Sequence, residues 1–386
     1  GNAIWSRAFG GSGEDVGYYV QETADGGFIV TGSTKSYSMG SELLWLLRTD
    51  ANGSPIWDKT FGGFVSSSGD GGWAVSETED GGFIITGYTQ SLGAGRKDLW
   101  LLRTDGEGRL IWDRTFGGKE DDVGMSVLQS RDGGFVVVGR TASFGQGGDD
   151  IWLLKTDGNG REVLNETFGG KKDDAGFQVI ELKDGYAVAG RTESGPQKER
   201  IRLIRLDIDG KKIWEKTYAG SSAASIHATD DGGIIIAGRI DSEKTGRDAL
   251  VIKVDSSGNE LWSMTLGGPA DDIGTFIVSC RDGSYRLAGI TSSFGAGRED
   301  AWLVKIQDGP EPEASGDAAG YVAGAEASGL LSSSDPASVK TSSTAAFNLT
   351  RISPERSDFD SVIQAKKRIL EDAMHKSFGS STGRDL

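Results

Sequence analysis

The sequence predicts an all-β fold, a ring of short four-stranded antiparallel blades, and three recurring markers predict it. A strand tryptophan stands at Trp5, Trp57, Trp112, Trp214 and Trp262, with Leu164 in the remaining place, roughly every fifty residues. An Asp-Gly-Gly turn recurs at Asp25, Asp80, Asp132, Asp184, Asp231 and Asp282, with one glycine lost after Asp184 and Ser284 following Gly283. An apolar strand recurs as Leu44-Trp45-Leu46-Leu47, Leu99-Trp100-Leu101-Leu102, Ile151-Trp152-Leu153-Leu154, Ile201-Arg202-Leu203-Ile204, Ala249-Leu250-Val251-Ile252 and Ala301-Trp302-Leu303-Val304. Each marker counts six, and the pattern is that of a six-bladed β-propeller.

One repeat, residues 112–160, justifies each element. Gly124–Ser130 and Phe135–Arg140 read as strands joined by the turn Arg131-Asp132-Gly133-Gly134. Ile151–Lys155 follows a glycine-rich loop, and the fourth strand corresponds to Ile111–Thr115 of the previous repeat. These runs are rich in Val, Ile, Phe and Trp and too short for helices. The turns are Asp/Gly/Asn clusters, which reach positive φ at little cost and close hairpins.

The phase of the repeats predicts how the ring closes. Gly1-Asn2-Ala3-Ile4-Trp5 reads as the fourth strand of a blade, and Trp302–Lys305 as a third strand without its fourth. Pairing the N-terminal strand with the last blade completes that blade and removes two open edges.

The chain has 386 residues, 60 Gly, 7 Pro and a formal net charge of −16. Acidic surfaces repel phosphate backbones, and no basic cluster offsets them, so nucleic-acid and anionic-membrane binding are not expected. No apolar run approaches the ~20 residues of a membrane span. The single cysteine, Cys280, excludes an intramolecular disulfide framework. Asn52, Asn165 and Asn348 head glycosylation sequons.

Three regions follow: a propeller over 1–308, a flexible Ala/Gly/Ser/Pro linker over 309–352, and a C-terminal helix with its tail over 353–386. Ser353-Pro354-Glu355 offers helix-start chemistry, and Ser357 with Asp360 resembles a capping box. Phe359, Val362, Ile363, Ile369 and Leu370 fall at helical spacing, giving an apolar face. That face either folds onto the propeller rim or docks a protein partner on a tether.

The chemistry-bearing residues are few. Asp15, Asp70, Asp122, Asp174 and Asp272 each head the first strand of a blade, with Ser221 in the fifth. First strands of propellers line the axis, where a carboxylate ring has the chemistry to hold a hydrated Ca²⁺. The competing reading is that each aspartate accepts hydrogen bonds from its Phe-Gly-Gly loop, and recurrence in nearly every blade favours it. No other cofactor is expected. The turns at Asp50, Asp105, Asp157, Asp207 and Asp255 lack the alternating ligands of an EF-hand loop and read as hairpins. Tyr37, Leu92, Phe144 and Phe294 recur before the third strand, either as packing or as an apolar rim.

Only His227 and His375 are histidines, and no zinc spacing, nucleophile elbow, phosphate loop or dinucleotide fingerprint occurs. The repeat is most altered in the fourth blade, where Arg202 replaces tryptophan after Pro196-Gln197-Lys198-Glu199-Arg200. The fifth, with the short loop Ala219-Gly220-Ser221 and His227 on its first strand, departs next. His227 and Arg202 are therefore candidate partner-binding residues.

Thr-Phe-Gly-Gly-x-x-x-Asp, Asp-Gly-Gly-Phe-Ile and Trp-Leu-Leu-Lys-Thr-Asp resemble the propeller repeats of large secreted and surface proteins of methanogenic archaea and some bacteria. These repeats are distant relatives of quinoprotein-like and Kelch-like propellers. The resemblance covers residues 1–308. It implies a propeller with an exported, extracellular or cell-surface interaction role, and it carries no match to quinoprotein catalytic residues. The tail instead suggests an intracellular assembly subunit. The expected function is a non-enzymatic binding or scaffold module with protein partners, glycan being a second partner class. The alternative is a carbohydrate-active hydrolase or lyase using carboxylates at the axial mouth, a pair such as Asp122 and Asp174.

Overall fold

A computed structural model describes residues 5–38, 40–63, 69–195, 199–242, 245–280, 282–295 and 298–308. The described residues are all-β, a β-propeller of antiparallel sheets. The first sheet is Asp15–Glu22 (β1), Phe28–Thr34 (β2), Leu43–Thr49 (β3) and Pro55–Phe61 (β4). The second is Asp70–Glu77 (β5), Phe83–Thr89 (β6), Asp98–Thr104 (β7) and Leu110–Phe116 (β8). The third is Asp122–Gln129 (β9), Phe135–Thr141 (β10), Asp150–Thr156 (β11) and Glu162–Phe168 (β12). The fourth is Asp174–Leu182 (β13), Gly185–Thr192 (β14), Arg200–Leu206 (β15) and Lys212–Tyr218 (β16). The fifth is Ser222–Ala228 (β17), Ile234–Ser242 (β18), Gly246–Val254 (β19) and Glu260–Leu266 (β20). The last has three strands, Asp272–Ser279 (β21), Ser284–Thr291 (β22) and Asp300–Gln307 (β23).

Each sheet runs as a meander, and the first strands pack side by side, β1 on β5, β5 on β9, β9 on β13, β13 on β17 and β17 on β21. The core lies between sheets. Leu44 and Leu46 of the first meet Val75, Phe83, Ile85, Trp100 and Leu102 of the second, and the same arrangement repeats at the next four junctions. The second strands, and the third strands of the first five sheets, are therefore largely buried on both faces, whereas the outer fourth strands are mostly exposed or half-buried.

Every first strand carries a β-bulge, at Tyr18, Trp73, Met125, Phe177, Ala224 and Thr275. A glycine of the neighbouring strand lies opposite. At Gly139 a Cβ would stand 1.9 Å from the Val123 carbonyl oxygen, so no larger residue fits.

The expected N-terminal strand is only partly covered. Gly1–Ile4 lie outside the described residues, and Trp5–Gly10 form no strand, so β23 has no fourth strand beside it among the described residues. No packing comparable to the other junctions joins β21 to β1 among the described residues. Trp5 nonetheless sits as its counterparts do. It packs on Phe28, ring centroids 5.9 Å apart, and over Gly53, as Trp57 packs on Phe83 and over Gly108. Arg7 Nε donates to the Asn52 carbonyl at 3.2 Å, as Arg114 does to that of Asn159 at 3.3 Å. The expected helix over 353–386 and the linker before it lie outside the described residues.

Candidate functional site

The aspartates that head the first strands are positioned by the loop entering each sheet and the end of the second strand. Asp70 accepts from Gly63 N at 3.1 Å, Thr89 Oγ1 at 2.6 Å, Gln90 N at 3.0 Å and Ser91 Oγ at 2.8 Å. Asp122 accepts from Gly118 N at 2.8 Å, Ser143 Oγ at 2.6 Å and Thr141 Oγ1. Asp272 accepts from Gly268 N at 2.7 Å and Ser293 Oγ at 2.6 Å. Asp174 accepts from Gly170 N at 3.0 Å and Ser194 Oγ at 2.6 Å, and takes Arg202 Nη1 at 3.2 Å. These four are fully buried. Asp15 makes the same bonds, to Gly11 N at 2.8 Å, Ser36 Oγ at 2.6 Å and Thr34 Oγ1, but remains half-buried. Burial pushes its pKa up, and the bonds from Ser36, Thr34 and Gly11 outweigh that and hold it below the usual carboxylate range.

A second carboxylate, at the start of the third strand, joins each of three junctions, and sequence reading missed it. Gly117 is flanked by Asp98 and Asp122, Gly169 by Asp150 and Asp174, and Gly267 by Asp248 and Asp272. Burial raises the Asp98 pKa, the Asp122 charge adding to it; burial likewise raises Asp150, helped by Asp174 and opposed by Arg202. Asp98 and Asp150 are buried beside their partners. Among the described residues, no group of three or more His, Cys, Asp or Glu side chains is placed to hold a metal ion. In the five sheets that carry it, this aspartate accepts hydrogen bonds from the sheet's entry loop or from the end of the second strand and the residues after it.

Arg202 replaces a tryptophan without becoming a surface residue. Its guanidinium is buried, joined to Asp174 and, at 2.6 Å, to Glu215 Oε1. His227 lies on β17 as expected, half-buried, with Nδ1 2.8 Å from the Ala228 carbonyl oxygen. The rim aromatics Phe144 and Phe294 pack on Trp152 and Trp302 at 5.7 and 5.8 Å, which ties them to the third strand. Tyr37, Leu92 and Phe144 keep large exposed surfaces. Phe359, Val362, Ile363, Ile369 and Leu370 lie outside the described residues.

A basic residue near the end of the third strand clasps the aspartate of each turn. Arg48 Nη2 reaches Asp25 at 2.5 Å, Lys155 reaches Asp132 at 2.7 Å, Lys253 reaches Asp231 at 2.8 Å and Lys305 reaches Asp282 at 3.0 Å. Arg103 pairs with Asp80 and Arg205 with Asp184 in the same way. Bonds from Thr23, Gly27 and Arg48 lower Asp25 to about 2; Lys155, then Ser130, against burial, lower Asp132 to about 2. The signal for this clasp was present in the sequence as a Lys or Arg three residues after each third-strand position Trp45, Trp100, Trp152, Arg202, Leu250 and Trp302.

The same turns cross-link neighbouring sheets. Glu77 Oε2 accepts from Ala24 N at 2.7 Å, Gln129 Oε1 from Glu79 N at 2.9 Å, and Glu181 Oε1 from Arg131 N at 3.3 Å. At the following junction Ala228 stands where Glu181 stands, and a cleft of about 460 Å³ opens between the fourth and fifth sheets.

No family model matches the chain, and no curated protein matches it in sequence. Among solved structures it is similar to the Pan2 WD40 domain of Neurospora crassa, with 11% identity and a TM-score of 0.47, over 71% of this chain and 75% of that one. It is also similar to the Dos1 propeller, with 13% identity and a TM-score of 0.46, over 75% of this chain and 67% of that one. The periplasmic gluconolactonase PpgL of Pseudomonas aeruginosa aligns with 12% identity and a TM-score of 0.42, over 66% of this chain and 71% of that one.

Proposed function

We propose that the chain is a six-bladed β-propeller, closed on itself, that acts as a non-enzymatic binding or scaffold module. Closure is supported by Leu303, which is 49% exposed while its counterparts Leu46, Leu101, Leu153, Leu203 and Val251 are at most 1% exposed inside inter-sheet cores. Among the described residues it lacks both a fourth strand beside β23 and a neighbour from the first sheet, the two things that closure would supply. In the register of the third sheet, where Leu154 pairs with Asn165 and Trp152 with Thr167, residues 3–9 would run along β23 with Ser6 opposite Val304 and Ala8 opposite Trp302.

The observation that carries the scaffold reading is that the recurring aspartates are used up inside the sheets. The blades then act as rigid holders of turns and loops, and binding falls to positions where one blade departs from the rest. The 353–386 segment supplies a tethered helix for a protein partner, with Phe359, Val362, Ile363, Ile369 and Leu370 on its docking face and the 309–352 linker giving it reach. The TFGG/DGGFI-type resemblance supports a module working at the cell surface or outside the cell, and the tail suits a subunit of a larger assembly. The hydrolase or lyase reading requires a carboxylate open to substrate, whereas Asp70, Asp122, Asp174 and Asp272 are fully buried.

The test is the native mass of the full chain in its source, against a Val362→Asp/Leu370→Asp variant. A defined complex that the double substitution dissolves supports the reading. A single free chain, or glycan cleavage abolished by Asp122→Asn, overturns it.

A further inference from the structure

At the cleft between the fourth and fifth sheets the repeat lacks one side chain. At the three preceding junctions a Glu or Gln at the end of a first strand reaches back and accepts a backbone N–H from the previous sheet's turn. The third of these is the fullest example. Arg131 offers Glu181 its N–H at 3.3 Å and its guanidinium at 3.4 Å, and its Nη1 also donates to the Lys183 carbonyl at 3.0 Å. Lys183 holds the position of Arg131 in the next sheet, and it offers the same pair of groups, a turn N–H and a cationic side chain. Opposite it stands Ala228, which has no side-chain oxygen to accept them.

We propose that this cleft binds a carboxylate carried on a peptide, an Asp or Glu side chain that occupies the place of the missing Glu. Leu182, Ala228 and Ile234 supply apolar surface for the methylenes, and Thr229 and Ser256 also line the cleft. Among the described residues that line it, Glu181 is taken by Arg131 and Asp184 by Arg205, which leaves Lys183 in surplus. An N–H and an ammonium meeting one carboxylate form charge-assisted hydrogen bonds, roughly twice as strong as neutral ones. The volume of about 460 Å³ admits a side chain with its flanking backbone. The general acidity of the chain opposes such a ligand at long range, but that repulsion is screened beyond about 8 Å at physiological salt. The cleft is lined by residues between Arg131 and Ser256, so the proposal does not rest on the helix read over 353–386.

The experiment uses the full chain labelled with ¹⁵N-lysine and two capped tripeptides, acetyl-Gly-Glu-Gly-amide and acetyl-Gly-Gln-Gly-amide. The expected result is a downfield shift of the Lys183 amide proton that saturates with the Glu peptide and is at least about tenfold weaker with the Gln peptide. Ala228→Glu should move that resonance downfield without peptide and abolish the response. Ala228→Gln, which copies the acceptor that Gln129 provides, serves the same purpose should the glutamate variant fold poorly. If the amide is already downfield in the unmodified chain and returns when the carboxylates after Asp308 are replaced by amides, the bound carboxylate is the chain's own; an unliganded amide that responds to peptide places it on a partner. Equal response to both peptides, no response in either chain, or a response that survives Ala228→Glu overturns the proposal.

Discussion

Lys155 Nζ lies 2.7 Å from Asp132, tying the end of the third sheet's β11 to the hairpin between β9 and β10. Burial alone would lower the lysine pKa, yet the bond from Asp132 raises it, and the carboxylate moves down to about 2. The pair fixes the angle of the turn, and through Arg131 that turn holds the fourth sheet.

Replacing Lys155 with methionine should therefore loosen both sheets. Asp132 is half-exposed, so water screens much of the charge interaction, and the expected cost is about 1–2 kcal/mol. Urea denaturation of the variant checks it, and an unchanged midpoint would show the clasp to be ornamental.

Acid should weaken the whole set together. Asp25, Asp132 and Asp231 are each lowered to about 2, below the usual 3.8. A depressed carboxylate contributes stability that is fully present above its unfolded value and is lost as pH falls through the folded one. Thermal stability is expected to be flat from pH 7 to about 5 and to fall steeply between about pH 4 and 2. A melting temperature that holds down to pH 2 would contradict the assignment.

Closure of the ring can be trapped. In a Cys280→Ser background, Ser6→Cys with Val304→Cys should form a disulfide on mild oxidation and raise the melting temperature. Moving the first cysteine to Arg7 changes the pairing and should give less bridging. Failure of the Ser6 pair to bridge, or bridging only between two chains, would sink closure within one molecule.

Asp122→Ala should be strongly destabilising, because Gly118 N, Thr141 and Ser143 lose a buried acceptor together. A cost of about 2–4 kcal/mol is expected. Added Ca²⁺ or a chelator should leave the melting temperature of the unmodified chain unchanged; a rise with Ca²⁺ would restore the metal reading of the aspartate ring.

Gly139→Ala should be worse than an ordinary core change, since its Cβ would enter the Val123 carbonyl across the bulge. Loss of several kcal/mol, or failure to fold, is expected, and circular dichroism on heating measures it.

Much of the architecture was legible because a propeller writes each blade separately. Short runs rich in Val, Ile, Phe and Trp, Asp-Gly turns and a tryptophan every fifty residues are local signals, and β9 to β12 lie within a few residues of where the sequence puts them. The head-of-sheet aspartates were legible as a set too, with metal binding and loop hydrogen bonds as the two readings of it. Only the packed structure shows Thr141 and Ser143 converging on Asp122, because those contacts join residues about twenty apart through strand pairing. Arg202 looked like a surface departure, and its burial against Asp174 and Glu215 depends on three strands meeting. The cleft at Ala228 was invisible for the same reason. A missing Glu is an ordinary alanine in a linear chain, and it becomes a cleft only when the neighbouring sheet brings Lys183 opposite it. Sequence by itself determined the blades, since each is held by short-range patterning; tertiary structure decided which polar groups meet, since strand pairing within a blade and packing between blades bring together residues distant along the chain.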